Sequence, residues 1–172
     1  MECLEAIKGR RSIRKFKDSP VKKEILEELL EAAQMAPSAG NLQARDFIVV
    51  SNKITKQKLA QAALDQSFIG NAPVVIVIVA NIDRSSRIYR SRGELYAIQD
   101  ATAAVMNLLL AAHSRGLATC WVGAFDEYAV CDILGIPQRA TPIAIIPVGH
   151  SDDKPVAPAR MGLEKVVHRE TW

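Results

Sequence analysis

Apolar residues Ile25, Leu26, Leu29, Leu30 and Ala33 recur at the helical period, with Glu24, Glu27, Glu28 and Glu31 opposite them and Pro20 shortly before. This pattern predicts an amphipathic helix ending near Ala36-Pro37, preceded by a short helical segment at Cys3 to Lys8. Phe47-Ile48-Val49-Val50, closed by Ser51-Asn52, is rich in β-formers and predicts a buried strand, with a helix following across Thr55 to Leu64. The run Val74 to Val79 has no polar residue on either face, which requires a central strand covered on both sides rather than an edge. Ile98, Ala101, Val105, Leu108, Leu109 and Ala112 mark a buried central helix that closes at His113-Ser114-Arg115-Gly116. A short strand at Thr119 to Val122, a helix from Glu127 to Leu134, a strand across Ile143 to Val148 and a polar tail complete the series.

Between the second strand and the central helix, Asp83 to Gly93 sets Arg84, Arg87, Arg90 and Arg92 among serines, and the expectation there is an exposed, solvated loop. The alternation of helices and strands predicts a three-layer α+β or α/β arrangement, without fixing the strand order.

Composition narrows the function classes. A chain of 172 residues is expected to form one domain, 1–172, and 22 Lys+Arg against 19 Asp+Glu leave a net charge of +3. That charge is too small and too mixed for a nucleic-acid or membrane footprint, so neither partner is expected. Cys3, Cys120 and Cys131 show no CxxC spacing, which argues against a disulfide framework and a zinc site. The charged N-terminus lacks a signal peptide's apolar stretch, and no apolar run reaches the ~18 residues of a membrane span, so a cytoplasmic protein is expected.

Three constellations could carry chemistry. In Arg10-Arg11-Ser12-Ile13-Arg14-Lys15, alternate residues Arg10, Ser12 and Arg14 would project to one side of an extended chain, aiming two guanidinium forks and a hydroxyl at one anion, naturally a phosphate. The alternative is a basic surface turn paired with the acidic face of the next helix. Pro37-Ser38-Ala39-Gly40-Asn41-Leu42-Gln43 combines a helix end, small residues and two side-chain amides, which suits the edge of a planar heterocycle, or else a helix-terminal loop with local turn bonds. Gly116 to Phe125 runs a strand into a small-residue turn where Val122, Gly123 and Ala124 permit close contact with a ligand, or simply connect a strand to a helix. Cys120 reads as packed and inert, with no basic neighbour to lower its pKa.

No HExxH, GxSxG, GxxxxGK[ST] or GxGxxG is present, so the chain offers a phosphate grip and a polar edge but no acid, base or nucleophile. A cofactor that carries the chemistry would leave such a pattern. The ordered segments RRSIRKF, APSAGNLQ with FIVV, FIGNAPVVIVIVA, AIQDATAAVMNLLLAAHSRGLATCWVGAF, LGIP with IAIIPVGH, and ARMGLEKVV resemble the FMN-dependent nitroreductase family over nearly the whole length.

The resemblance implies an α+β, three-layer α/β/α fold with a mixed, mainly antiparallel sheet, and a domain-entwined homodimer with FMN at the subunit interface. It implies that Arg10, Arg11, Ser12 and Arg14 hold the FMN phosphate and ribityl chain, and that Arg160 adds to the phosphate grip. It assigns Pro37, Ser38, Ala39, Asn41 and Gln43 of the other subunit to the ring, and the turn Val122, Gly123, Ala124 to its neighbourhood. The activity implied is ping-pong transfer from NADH or NADPH through FMN to a small-molecule acceptor, a nitroaromatic or quinone. A specialised flavoprotein of the same fold, O2-using or dehalogenating, and a non-catalytic FMN-binding module are the alternatives. Where larger members often carry a Lys two positions before the late arginine, this chain has Pro158, leaving the grip fewer cations.

Overall fold

The computed structural model describes all 172 residues. Four strands form one antiparallel sheet, β1 (Arg45–Val50), β2 (Val74–Asn81), β3 (Ala118–Thr119) and β4 (Ala140–Gly149), in the order β1-β2-β4-β3. β2 is central, as its unbroken apolar run requires, and Ile76 pairs with Val49 on one side and Ile146 on the other. β1 differs from expectation. It is an edge strand, and Val49 is 41% exposed because its outer side has no neighbour.

The two faces of β2 open into separate cores. Ile76, Ile78 and Ala80 pack with Ala144 and Ile146 against α2 (Lys23–Gln34) and α6 (Gly93–Ser114). Val75, Val77 and Val79 pack with Ile145 against α3 (Lys53–Ala62), α4 (Phe68–Asn71) and α7 (Glu127–Leu134). The strand period of two thus sorts one run of valines and isoleucines into two helical layers. α1 (Cys3–Gly9) lies against α6, and a Cβ added at Gly9 would come within 2.7 Å of the His113 ring, so a side chain there would have to push that ring aside. The stretch Ile82–Ser114 is long and apolar enough by length and composition to cross a membrane, contrary to the expectation that no apolar run reaches that length. In the fold, α6 buries Ala97, Ala101, Ala104, Val105, Leu108, Leu109 and Ala112 within the first core.

Three departures have physical causes. Residues 83–93 are not a loop: α5 (Ile82–Tyr89) and a 3₁₀ turn at Arg90–Arg92 occupy them, capped by Asn81 Oδ1, which accepts from Arg84 N at 3.0 Å. The fully buried position of α5 is Ser85, and its one core-packed apolar residue, Ile82, stands at its start, so no run of apolar residues announces the helix. β4 begins at Ala140, ahead of the expected Ile143, because Pro142 is accommodated where the register slips between Ile78 and Val79. The strand expected at Thr119 to Val122 is broken. Ala118 pairs with Gly149 and Thr119 with Val148, and a lone bridge resumes at Val122–Ile145. That register sets Cys120 opposite Pro147, whose missing N–H removes a rung of the ladder.

Candidate functional site

The basic segment after α1 is extended and anchored beside β3. Ser12 bridges in parallel to Thr119, and Ile13 N donates to Thr119 O at 2.9 Å, the one parallel pairing on the sheet. Arg10, Arg11, Ser12 and Arg14 then line a recess of about 470 Å³, closed by Pro155, Val156, Pro158 and Arg160 of the tail. No carboxylate lines it. The acidic face of α2 does not pair with this cluster: Glu28 meets Arg115 at 2.7 Å and Glu27 meets Lys23 at 3.5 Å. Arg11 turns back to donate to Lys8 O at 2.6 Å and Arg10 O at 2.7 Å, capping the last carbonyls of α1. Arg10, Arg14 and Arg160 have no such engagement, and Arg14 lies over the Phe68 ring at 5.8 Å. The tail's entry is fixed by Lys17, whose N donates to His150 O at 2.8 Å and whose Nζ meets Asp152 at 2.7 Å.

The strand-to-helix turn follows β3, three residues beyond the Thr119 that Ser12 bridges, and none of Val122, Gly123 and Ala124 lines the recess. Val122 is buried and exchanges two 3.0 Å bonds with Ile145, whereas Gly123 and Ala124 are exposed. Gln66 Nε2 donates to Ala124 O at 3.2 Å and steadies the turn. Trp121 packs against the first core. Cys120 is buried as expected, but its surroundings were misjudged. Arg14, Arg10 and Ser12 do approach it and favour the thiolate, yet burial outweighs them and pushes the thiol up.

Pro37–Gln43 is a tightly wound loop following α2. Gly40, Asn41 and Gln43 all take left-handed backbone, with φ of 55°, 56° and 51°. A Cβ on Gly40 would also meet the Tyr89 hydroxyl at 2.5 Å, so a side chain there would have to displace Tyr89. Ser38 Oγ accepts from Gln43 N at 3.0 Å. Gln43 uses its side chain inside the loop, donating to Asn41 O and Oδ1 and accepting from Gln34, so Asn41 Nδ2 is the amide donor left over.

Three residues that the sequence did not assign to the site hold this loop. Asp100 of α6 accepts from Ala39 N at 2.9 Å and Ala44 N at 3.4 Å. Arg45, 2% exposed, donates to Gln34 O and Ala36 O, each at 2.7 Å, and to Pro37 O at 3.2 Å. Arg84 donates to Gln43 O and Arg45 O and pairs with Asp46 at 2.7 Å. The available signal was Asp100, the sole charged residue between Ala97 and Ala112.

The fold therefore joins the phosphate-type cluster and Arg160 in one recess, while no residue of the 122–124 turn or of the 37–43 loop lines it. Free guanidinium forks, a hydroxyl and the absence of carboxylate suit a phosphomonoester, and the Asn41 donor suits a heterocycle edge, so the donor set fits a phosphorylated planar cofactor.

Comparison with known proteins follows the same lines. The family model described as the nitroreductase family matches residues 7–68 and 60–150. A Methanothermobacter thermautotrophicus protein, whose name pairs NADH dehydrogenase with NAD(P)H nitroreductase, is 34% identical over 96% of this chain and 88% of its own. The FMN reductase [NAD(P)H] of Bacillus subtilis is 30% identical over 99% of this chain and 74% of its own. The solved structure of the NADPH:FMN oxidoreductase of Vibrio harveyi complexed with NAD+ has a TM-score of 0.91 at 27% identity, covering 99% of this chain and 77% of that one.

Proposed function

The chain belongs to the nitroreductase family, and from that premise we propose that it is an FMN-dependent oxidoreductase taking electrons from NADH or NADPH and passing them to a nitroaromatic or quinone-type acceptor. The observation that carries the reading is the convergence of Arg10, Ser12, Arg14 and Arg160 on one carboxylate-free recess. When bound, FMN supplies the hydride-accepting and hydride-donating chemistry, with donor and acceptor using the site in turn. Arg10, Arg14 and Arg160 bind the phosphate through charge-assisted hydrogen bonds, and the Ser12 hydroxyl adds a neutral donor. Gly123 and Ala124 present a small-residue edge that lets the ring pass close to the backbone.

The loop that bears Asn41 lines a different part of the protomer, and the reading assigns it to a second copy. In a homodimer, Asn41 of the partner subunit donates its amide to the ring edge, so each site draws on two chains. The exposed side chains of Leu4 and Ile7 on α1, and of Met161, Leu163, Val166 and Val167 in the tail, supply apolar surface for such an interface. α6 fixes the loop and the sheet fixes the Ser12 side of the recess within each subunit, so their orientation comes from rigid elements.

The visible absorption spectrum of the purified protein, with the released chromophore identified, tests the reading. A flavin spectrum yielding FMN at about one per chain, with NAD(P)H oxidation dependent on menadione, is the expected result. A colourless protein that takes up no added FMN overturns it. Bound FMN without menadione-dependent oxidation overturns the catalytic part and leaves a binding module.

A further inference from the structure

A loop with left-handed backbone at Gly40, Asn41 and Gln43 persists only where its surroundings over-determine it. Here the determinants are two buried ionic side chains aimed at the loop's main chain. Asp100, 5% exposed, receives the amides of Ala39 and Ala44 on separate oxygens, and so brackets the segment from both ends. Arg45 collects the carbonyls of Gln34, Ala36 and Pro37, where α2 gives way to the loop, and reaches Asp100 O at 3.4 Å. Arg84 closes the far end at Gln43 O.

The placement of Asp100 is costly for packing alone. It stands on the core-facing side of an otherwise apolar helical stretch, where a leucine or alanine would need no desolvation. What its carboxylate provides is a pair of acceptors at a spacing that an apolar side chain cannot reproduce. Arg45 attracts its charge through space, and Arg84 opposes that of Arg45 as a like charge.

We propose that Asp100 and Arg45 are positioning residues of the flavin site, a buried latch that holds residues 38–44 wound so that the Asn41 amide is presented to the ring without reorganisation. This rests on the reading that the loop meets FMN. Neither residue touches the cofactor; each acts through the loop backbone, and loosening the latch lowers affinity for the ring while leaving the phosphate grip intact.

Asp100→Asn tests this, because it keeps the volume and one acceptor while turning an NH2 group towards one of the two amides. Hydrogen exchange is followed by mass spectrometry over residues 38–44 and over β2. FMN affinity is measured by fluorescence, and inorganic phosphate is titrated as a competitor, all at a temperature where circular dichroism shows a folded variant. The expected result is exchange over 38–44 faster by about tenfold or more, unchanged exchange in β2, FMN affinity weaker by about tenfold, and phosphate competition equal to wild type.

Faster exchange with wild-type FMN affinity overturns the proposal, since the pair then serves stability alone. Exchange that rises equally in β2 overturns it as well. If Asp100→Asn does not fold, Arg45→Lys is measured in the same way, keeping the charge but not the fork. Failure of both to fold marks a core-stability element and also overturns the proposal. Wild-type protein that binds no FMN removes the functional reading and this proposal together, a result distinguishable because wild type and variant then fail alike.

Discussion

Arg14 lies with its guanidinium 5.8 Å from the Phe68 ring and without a carboxylate partner, so its fork is available to a ligand at little cost in broken contacts. Charge-assisted bonds contribute about 1.5–3 kcal/mol, so Arg14→Ala should weaken FMN binding by about ten- to a hundredfold, read by fluorescence titration, with the far-UV spectrum unchanged. His113 gives a pH prediction. Burial first, and Arg10 and Arg11 after it, hold its pKa below the ordinary 6.5. The native imidazole therefore binds a proton more weakly than the unfolded one. As pH falls through 6.5 the unfolded chain takes up the proton first, and stability declines until native His113 protonates too. Urea midpoints measured from pH 7.5 to 5 should fall towards acid, and His113→Gln should flatten that slope. The basic cluster was legible in the sequence because four cations in six positions stand out. Arg45 was not, because it is a lone cation whose partners are main-chain carbonyls that leave no trace in residue identity, and Arg84 was hidden among the arginines of its own segment.

Elements announced by their own ends were read correctly, and those defined by distant residues were not. α7 has the expected bounds because Asp126 Oδ1 accepts from Ala129 N at 3.0 Å and Gly135 closes the helix with φ of 66°. Asp126→Ala should cost about 1 kcal/mol, seen as a fall of about 2–4 °C in Tm, with FMN affinity unchanged. α5, by contrast, reads as a loop because its fully buried residue is Ser85, its middle is arginine and serine, and Ile88 faces outward. The break in the strand after Thr119 was hidden for another reason: its cause, Pro147, lies 28 residues downstream and acts only once β4 is paired. That break leaves the backbone at Cys120 and Trp121 outside the ladder, just before the turn assigned to the flavin.

At the scale of the molecule, the three layers were readable from β2 and the helices about it, whereas the 37–43 loop and the recess could not be related without the fold. The tail is the part least tied to its own protomer, with one 3₁₀ turn at Leu163–Lys165 and largely exposed side chains. Truncation after Asp153 removes Pro155, Val156, Pro158 and Arg160 from the recess. It should preserve the far-UV spectrum, weaken FMN binding by about tenfold or more, and shift the sedimenting species from the proposed dimer to monomer. The order β1-β2-β4-β3 has a consequence for synthesis. β1 precedes β2 and can pair with it at once, but Val74 must wait for Val148. At ~5–20 residues per second, the ribosome takes several seconds to make the intervening chain. During that interval the second edge of VVIVIVA is bare, a segment of the kind that joins other chains when left unpaired. The nascent chain is thus most exposed to aggregation after β2 has emerged and before β4 has, and yield should depend on chaperones that act in that window.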